Sequence, residues 1–153
     1  MKILVVSDTH GDISGVQEAL RREGPVDYVF HLGDNARDAA RIQTTAHMVS
    51  VLGNCDFGGA PLTETVFLCG KRLLLTHGHG QSVKYGLQRL AYFAAEQEVD
   101  AAFFGHTHVP LIDYYGSILL MNPGSISRPR GRKPTYGVVE LTDGFLKPDV
   151  RFL

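Results

Sequence analysis

KILVVSDTH, residues 2–10, is a short apolar run that ends on two groups able to bind a metal, Asp8 and His10. The same arrangement recurs four times along the chain. Tyr28–Leu32 (YVFHL) leads into Gly33-Asp34, and Met48–Leu52 (MVSVL) leads into Gly53-Asn54. Arg72–Thr76 (RLLLT) leads into His77, and Ala101–Phe104 (AAFF) leads into Gly105-His106-Thr107-His108. Runs of this length, rich in Val, Ile, Leu and Phe, read as buried strands of an α/β sheet. In open α/β folds, ligands collect at the carboxyl ends of the strands. One rim of the molecule is therefore expected to receive two Asp, one Asn and four His.

The bulk composition agrees with an ordinary globular chain. Of the 153 residues, 44% are hydrophobic and 20% charged, enough to bury a sizeable core in one domain spanning 1–153. A formal net charge of −1 argues against a bulk pull toward nucleic acid or membrane, so no stable nucleic-acid complex is expected. The chain enters a strand at residue 2 without a signal segment, and no apolar stretch approaches the roughly 20 residues that cross a bilayer. Cys55 and Cys69 lack a CxxC spacing and suggest no disulfide framework, so a reducing cytoplasm is the expected compartment.

Between the runs, Asp12 can cap a helix whose apolar positions Ile13, Val16, Ala19 and Leu20 have helical spacing, ended by Gly24-Pro25. A shorter helix is expected over Ala36–Ile42 and a third near Gly86–Glu96. Thr63–Leu68 and Arg72–Thr76 read as an antiparallel pair around Cys69-Gly70-Lys71. The last third reads as a meander: Leu111–Tyr115, Ile118–Met121, Tyr136–Leu141 and Phe145–Phe152. The expected fold is α/β (α+β), four layers, with two sheets packed as a β-sandwich and helices outside. Pro123–Pro134 (PGSISRPRGRKP) is the one long irregular stretch, and ordered loops of that length are often functional.

No single motif here is decisive, because Asp-x-His, Gly-Asp and Gly-Asn are each common. Their joint recurrence after apolar runs is what indicates a metal site. A mixed nitrogen and oxygen donor set favours Mn, Fe, Ni or Zn over Ca or Mg. Seven donors exceed one tetrahedral site but suit two ions sharing a carboxylate, roughly 3.5–4 Å apart. Two divalent ions against two carboxylates leave an excess positive charge that an anionic phosphate ester would complete.

Asp8-Thr9-His10, Gly33-Asp34, Gly53-Asn54-x-Asp56, Thr76-His77-Gly78-His79 and Gly105-His106-Thr107-His108 together resemble the five motifs of the calcineurin-like metallophosphoesterase superfamily. The resemblance is strongest to its small single-domain phosphodiesterases, relatives of the light retromer subunit, and extends through Asn122-Pro123-Gly124-Ser125. It implies a four-layer sandwich flanked by helices, and a phosphodiesterase acting on a small phosphate ester. It also implies two divalent ions, manganese first, with nickel, iron or zinc as alternatives. Asp8, His10 and His108 would hold one ion, Asn54, His77 and His106 the other, and Asp34 would bridge them. In the family, a hydroxide held between the ions attacks phosphorus. A phosphomonoesterase or a weakly catalytic protein-binding scaffold of the same fold are the other readings, and a homo-oligomer is left open.

Larger members carry Gly-Asn-His-Asp, and Cys55 stands where that His would be. A neutral thiol is a poor acid, which favours esters whose alcohol leaves without a proton. His79 either takes over the acid role or is a loop residue. Ser125, Arg128 and Arg130, with Cys55, are the candidate substrate contacts, since guanidinium matches phosphate bidentately. Asp56 either orients a ligating imidazole or caps a turn, and His31 reads as a satisfied core histidine or a support to the site.

Overall fold

A computed structural model describes residues 1–153. β1 (Lys2–Val6) is apolar at Ile3, Leu4, Val5 and Val6 because both of its faces are covered: all four are fully buried. The period of two divides them. Ile3 and Val5 face a second sheet, whereas Leu4 and Val6 pack on helix α1 (Ser14–Glu23) through Val16 and Ala19. β1 lies parallel to β2 (Tyr28–His31), with Val5 opposite Phe30, and β2 lies parallel to β3 (His47–Ser50).

The second sheet has the same plan. β4 (Thr63–Leu68) runs antiparallel to β5 (Lys71–Thr76), which is parallel to β6 (Ala101–Phe103). β7 (Leu111–Tyr115) and β8 (Ile118–Asn122) form a hairpin whose β8 arm lies parallel to β6. Leu73, Leu75, Ala101 and Phe103 point at the first sheet, while Leu74, Ala102, Phe104 and Leu120 pack on α2 (Gln88–Glu96). Phe30 and Phe103 meet edge to face across the two sheets with ring centroids 5.7 Å apart. The order is helix, sheet, sheet, helix, the four layers expected. No helix is long and apolar enough to cross a membrane.

Five expectations change. The last third is not a continuous meander: β9 (Thr135–Thr142) and β10 (Phe145–Phe152) return to the first sheet, giving strand orders β10-β9-β1-β2-β3 and β4-β5-β6-β8-β7. Strand periodicity does not specify a partner, and Pro123–Pro134 is the crossover between sheets. Residues Ala36–Arg41 form a 3-10 helix instead of an α-helix, and α2 starts at Gln88 after 3-10 turns at His79–Gln81 and Val83–Tyr85. At α1, Ile13 occupies the cap position, and Asp12 instead accepts the Ser14 N–H at 2.9 Å. The strand expected over Met48–Leu52 runs His47–Ser50.

Candidate metal centre

Where the parallel strands end, the backbone turns into an unusual conformation. Asp8, His10, Asp34, His106 and His108 have φ of 56°, 48°, 56°, 69° and 59°, in the left-handed region. Asp, Asn and His tolerate this region better than most residues, and such conformations persist where the surroundings over-determine them. Two glycines make the close approach possible. A Cβ on Gly53 would stand 2.1 Å from Asp34 Oδ1, and one on Gly105 would stand 2.9 Å from Asp8 Oδ2.

The side chains converge. The donor atoms of Asp8, His10, Asp34 and His108 all lie within 4.8 Å of one another. His108 Nε2 is 3.0 Å from Asp8 Oδ1, and His10 Nε2 is 3.6 Å from Asp34 Oδ2. His77 and His106 adjoin this group on its other side. His77 Nε2 lies 3.4 Å from Asp34 Oδ1, 3.8 Å from Asp8 Oδ1 and 3.2 Å from His106 Nδ1. Asp34 thus offers one oxygen to each side. Asn54 is on the rim, exposed, with its amide nitrogen 3.7 Å from Cys55 Sγ and no hydrogen bond to the other six.

Ring orientation is fixed from behind. His77 Nδ1 bonds the Leu32 carbonyl at 2.7 Å, and His108 Nδ1 bonds the Arg128 carbonyl at 2.6 Å. That geometry lets Nδ1 carry the proton and turns Nε2 toward the cluster, where Asp8 beside His108 Nε2 raises the pKa of that imidazole. Burial, then His77 and Lys84, push His106 down to about 4, and burial also lowers His10. Burial alone would raise Asp8, but His108, His77 and the Ser7 hydroxyl outweigh it and hold the carboxyl below its ordinary range. Neutral imidazoles and ionised carboxylates are the protonation states a metal requires. Asp8 Oδ1 and His10 Nε2 are buried without hydrogen-bond partners, the expected condition of atoms arranged for a cation. The residues present therefore fit a divalent ion.

A family model, the calcineurin-like phosphoesterase superfamily domain, matches residues 1–144. The chain belongs to this family. This phosphoesterase is similar to YsnB, a probable metallophosphoesterase of Bacillus subtilis (strain 168), at 36% identity over 144 residues, covering 92% of this chain and 85% of YsnB. It is 31% identical over 168 residues to the phosphodiesterase YfcE of Escherichia coli (strain K12), covering 92% and 88% of the two chains. A crystal structure of a conserved Streptococcus pneumoniae TIGR4 protein, a predicted phosphoesterase, matches with TM-score 0.82 at 38% identity, covering 99% and 88%. Membership in the metallophosphoesterases implies divalent metal ions, and Asp8, His10, Asp34 and His108 form a group that could hold one.

The supporting residues of this phosphoesterase include several that its motifs do not mark. Asp38 is buried, and its Oδ2 accepts from Thr9 Oγ1 at 2.6 Å and from the Gly11 N–H at 2.8 Å. Its Oδ1 accepts from Asn35 Nδ2 and Arg41 Nη1, each at 3.0 Å. One carboxylate thereby ties the Asp8–Gly11 loop to the Asp34-Asn35 turn. His31, fully buried, adds a second tie: its Nδ1 accepts the Gly33 N–H at 3.2 Å, and its Nε2 lies 3.0 Å from Thr9 Oγ1. Of the two roles considered for Asp56, the structure shows the cap. Its oxygens accept the N–H groups of Asn35, Ala36 and Gly53 at 2.9, 2.9 and 2.8 Å.

Ser125, expected to touch substrate, is fully buried, and its hydroxyl donates to the Asp8 carbonyl at 3.0 Å. Ser127, which sequence reasoning missed, donates its hydroxyl toward the Asp8 and Thr9 carbonyls at 2.9 and 2.7 Å. Arg128 and Arg130 brace His108 through their backbones, and both side chains are exposed. Cys55 is exposed, its N–H donates to Asp34 Oδ1 at 3.1 Å, and burial with the nearby Asp34 charge raises its thiol pKa. His79 lies with its ring 5.5 Å from His77 and 6.1 Å from His106, its Nδ1 buried and unpartnered.

Proposed function

We propose that this phosphoesterase is a phosphodiesterase for a small phosphate diester, working with two divalent ions, manganese first. The observation that carries the reading is the position of Asp34. Its Oδ2 faces His10 and its Oδ1 faces His77, so one carboxylate serves two donor groups. Asp8, His10 and His108 would hold one ion, and His77 and His106, joined by Asn54 after rotation of its side chain, the other. Bound divalent ions supply Lewis acidity toward phosphoryl oxygens and lower the pKa of a water to about 7.

The protein's own groups set the rest. Two carboxylates do not neutralise two divalent cations, so the rim draws an anionic ester. The raised pKa of Cys55 keeps its thiol neutral near pH 7, and its exposed position puts a weak donor where an acid would protonate the leaving oxygen. His79 is the imidazole nearest to that role, though burial and His77 lower its pKa and keep it largely uncharged. Aryl diesters, whose alcohols leave as anions, are therefore the expected good substrates. The two free, exposed thiols suit a cytoplasmic setting.

The test strips metal with chelator, restores Mn, Ni, Zn or Mg, and compares bis(p-nitrophenyl) phosphate with p-nitrophenyl phosphate. Metal-dependent hydrolysis that is faster on the diester is expected, and Asp34→Asn should lower kcat by at least roughly 10²-fold. Full activity in Asp34→Asn contradicts the bridging role, and faster hydrolysis of the monoester contradicts the diester preference.

A further inference from the structure

The segment after His79 carries charge that nothing so far explains. The Ser82 N–H donates to the His79 carbonyl at 3.2 Å, so this segment begins one turn from the imidazole cluster. There Ser82, Tyr85, Gly86, Gln88 and Arg89 line a hollow of about 290 Å³. Arg89 Nη1 donates to Ser82 Oγ at 3.3 Å. Lys2, Lys71, Arg21, Arg22, Arg41, Arg72 and Arg151 each have a carboxylate within 4.0 Å. Lys84 and Arg89 have none, as is also true of Arg37, Arg128, Arg130, Arg132, Lys133 and Lys147, but these two sit on or next to the hollow. Tyr85, at 94% exposure, presents an aromatic face on the same hollow. The Lys84 ammonium is also near enough to His106 to be felt there, after burial and His77.

Cations without a carboxylate partner are poised to meet a negative charge, and beyond its Nη1 bond to Ser82 the Arg89 guanidinium keeps Nε and Nη2 for an anion. The hollow has one aromatic and otherwise polar lining, and it shares no residue with the donor cluster. We propose that it is a subsite for a second phosphate group, carried on the arm of the diester that is not cleaved. Arg89 and Ser82 donate to that phosphate, Lys84 adds charge, and Tyr85 covers the connecting portion. The proposal rests on the phosphodiesterase reading and narrows its substrate class to diesters bearing an additional phosphate.

Two aryl diesters with one leaving group test it. They are the 5′-(p-nitrophenyl) esters of thymidine 5′-monophosphate and of thymidine 3′,5′-bisphosphate, which differ only in the 3′-phosphate. With Mn-loaded enzyme at low salt, kcat/KM is expected to be roughly tenfold higher for the second, mainly through KM, the effect of about one charge-assisted hydrogen bond. The preference should shrink as salt screens the cations. Arg89→Gln and Lys84→Met should each bring the ratio of the two substrates most of the way to unity, whereas Lys147→Gln on β10 should leave the ratio as it is.

Calorimetric titration with thymidine 3′,5′-bisphosphate and thymidine 5′-monophosphate gives the same comparison without turnover. Equal handling of both pairs by the wild type, or a preference that survives in Arg89→Gln/Lys84→Met, overturns the subsite. If neither ester is hydrolysed, the phosphodiesterase reading fails and the titration alone decides on the subsite.

Discussion

Asp38 is worth more to the site than its distance from the chemistry suggests. Its carboxylate joins the loop bearing Asp8 and His10 to the turn bearing Asp34; of the groups it serves, Thr9 is buried with no water to fall back on, whereas Gly11 and Arg41 are exposed. Asp38→Ala should cost roughly 1–3 kcal/mol in urea denaturation of the metal-free protein. It should also weaken Mn binding by calorimetry, and unaltered Mn affinity would show that the clamp does not position the ligands. His31 gives a second prediction. Burial lowers its pKa to about 4, so it is neutral in the fold, whereas in the unfolded chain it takes up a proton below about 6.5. The unfolded state therefore binds more protons, and its contribution to stability is complete above pH 6.5 and lost as pH falls toward 4, by up to roughly 3 kcal/mol. His31→Gln should flatten that decline in melts of the metal-free protein, and an identical decline would contradict the assignment. The donor positions were readable because each follows an apolar run. Asp38 was not, because an Asp among Ala and Arg looks like solvated helix until its partners, 27 to 29 positions earlier in the chain, are seen.

At the level of elements, the Pro123–Pro134 crossover acts as a buttress. Ser125 and Ser127 bond the carbonyls behind Asp8, and the Arg128 carbonyl aims His108. Ser125→Ala leaves the Asp8 carbonyl to Ser127 alone and takes the acceptor from the Arg128 N–H, and should cost roughly 1–3 kcal/mol, read by thermal denaturation with and without Mn. A change below about 0.5 kcal/mol, the scale of neutral surface substitutions, would contradict the buttress. Strands at buried positions were legible from their runs, but boundaries and short helices were not. Residues 36–41 (ARDAAR) carry no apolar stripe, and six residues cannot sustain an α-helix without one, so tertiary contacts with Asp56 set a 3-10 turn. The left-handed Ser82 and Gly86 postpone α2 to Gln88, an effect of backbone conformation that periodicity does not register.

Across the whole molecule, the two sheets pack so that the carboxyl ends of β1 and β2 in one, and of β5 and β6 in the other, open onto one rim. Glycine at 105 lets the loop after β6 close on the one after β1, and glycine at 53 lets the loops after β2 and β3 of the first sheet meet. The buried strands followed from continuous apolar runs, whereas the return of β9 and β10 to the first sheet depends on long-range pairing that no local pattern encodes. The central claim is that Asp34 stands between two metal positions built from both sheets. Anomalous diffraction at the manganese edge, from crystals grown with excess Mn, tests it most directly. The account predicts two peaks about 3.5–4 Å apart on either side of the Asp34 carboxylate. A single peak, or peaks away from Asp34, would contradict it.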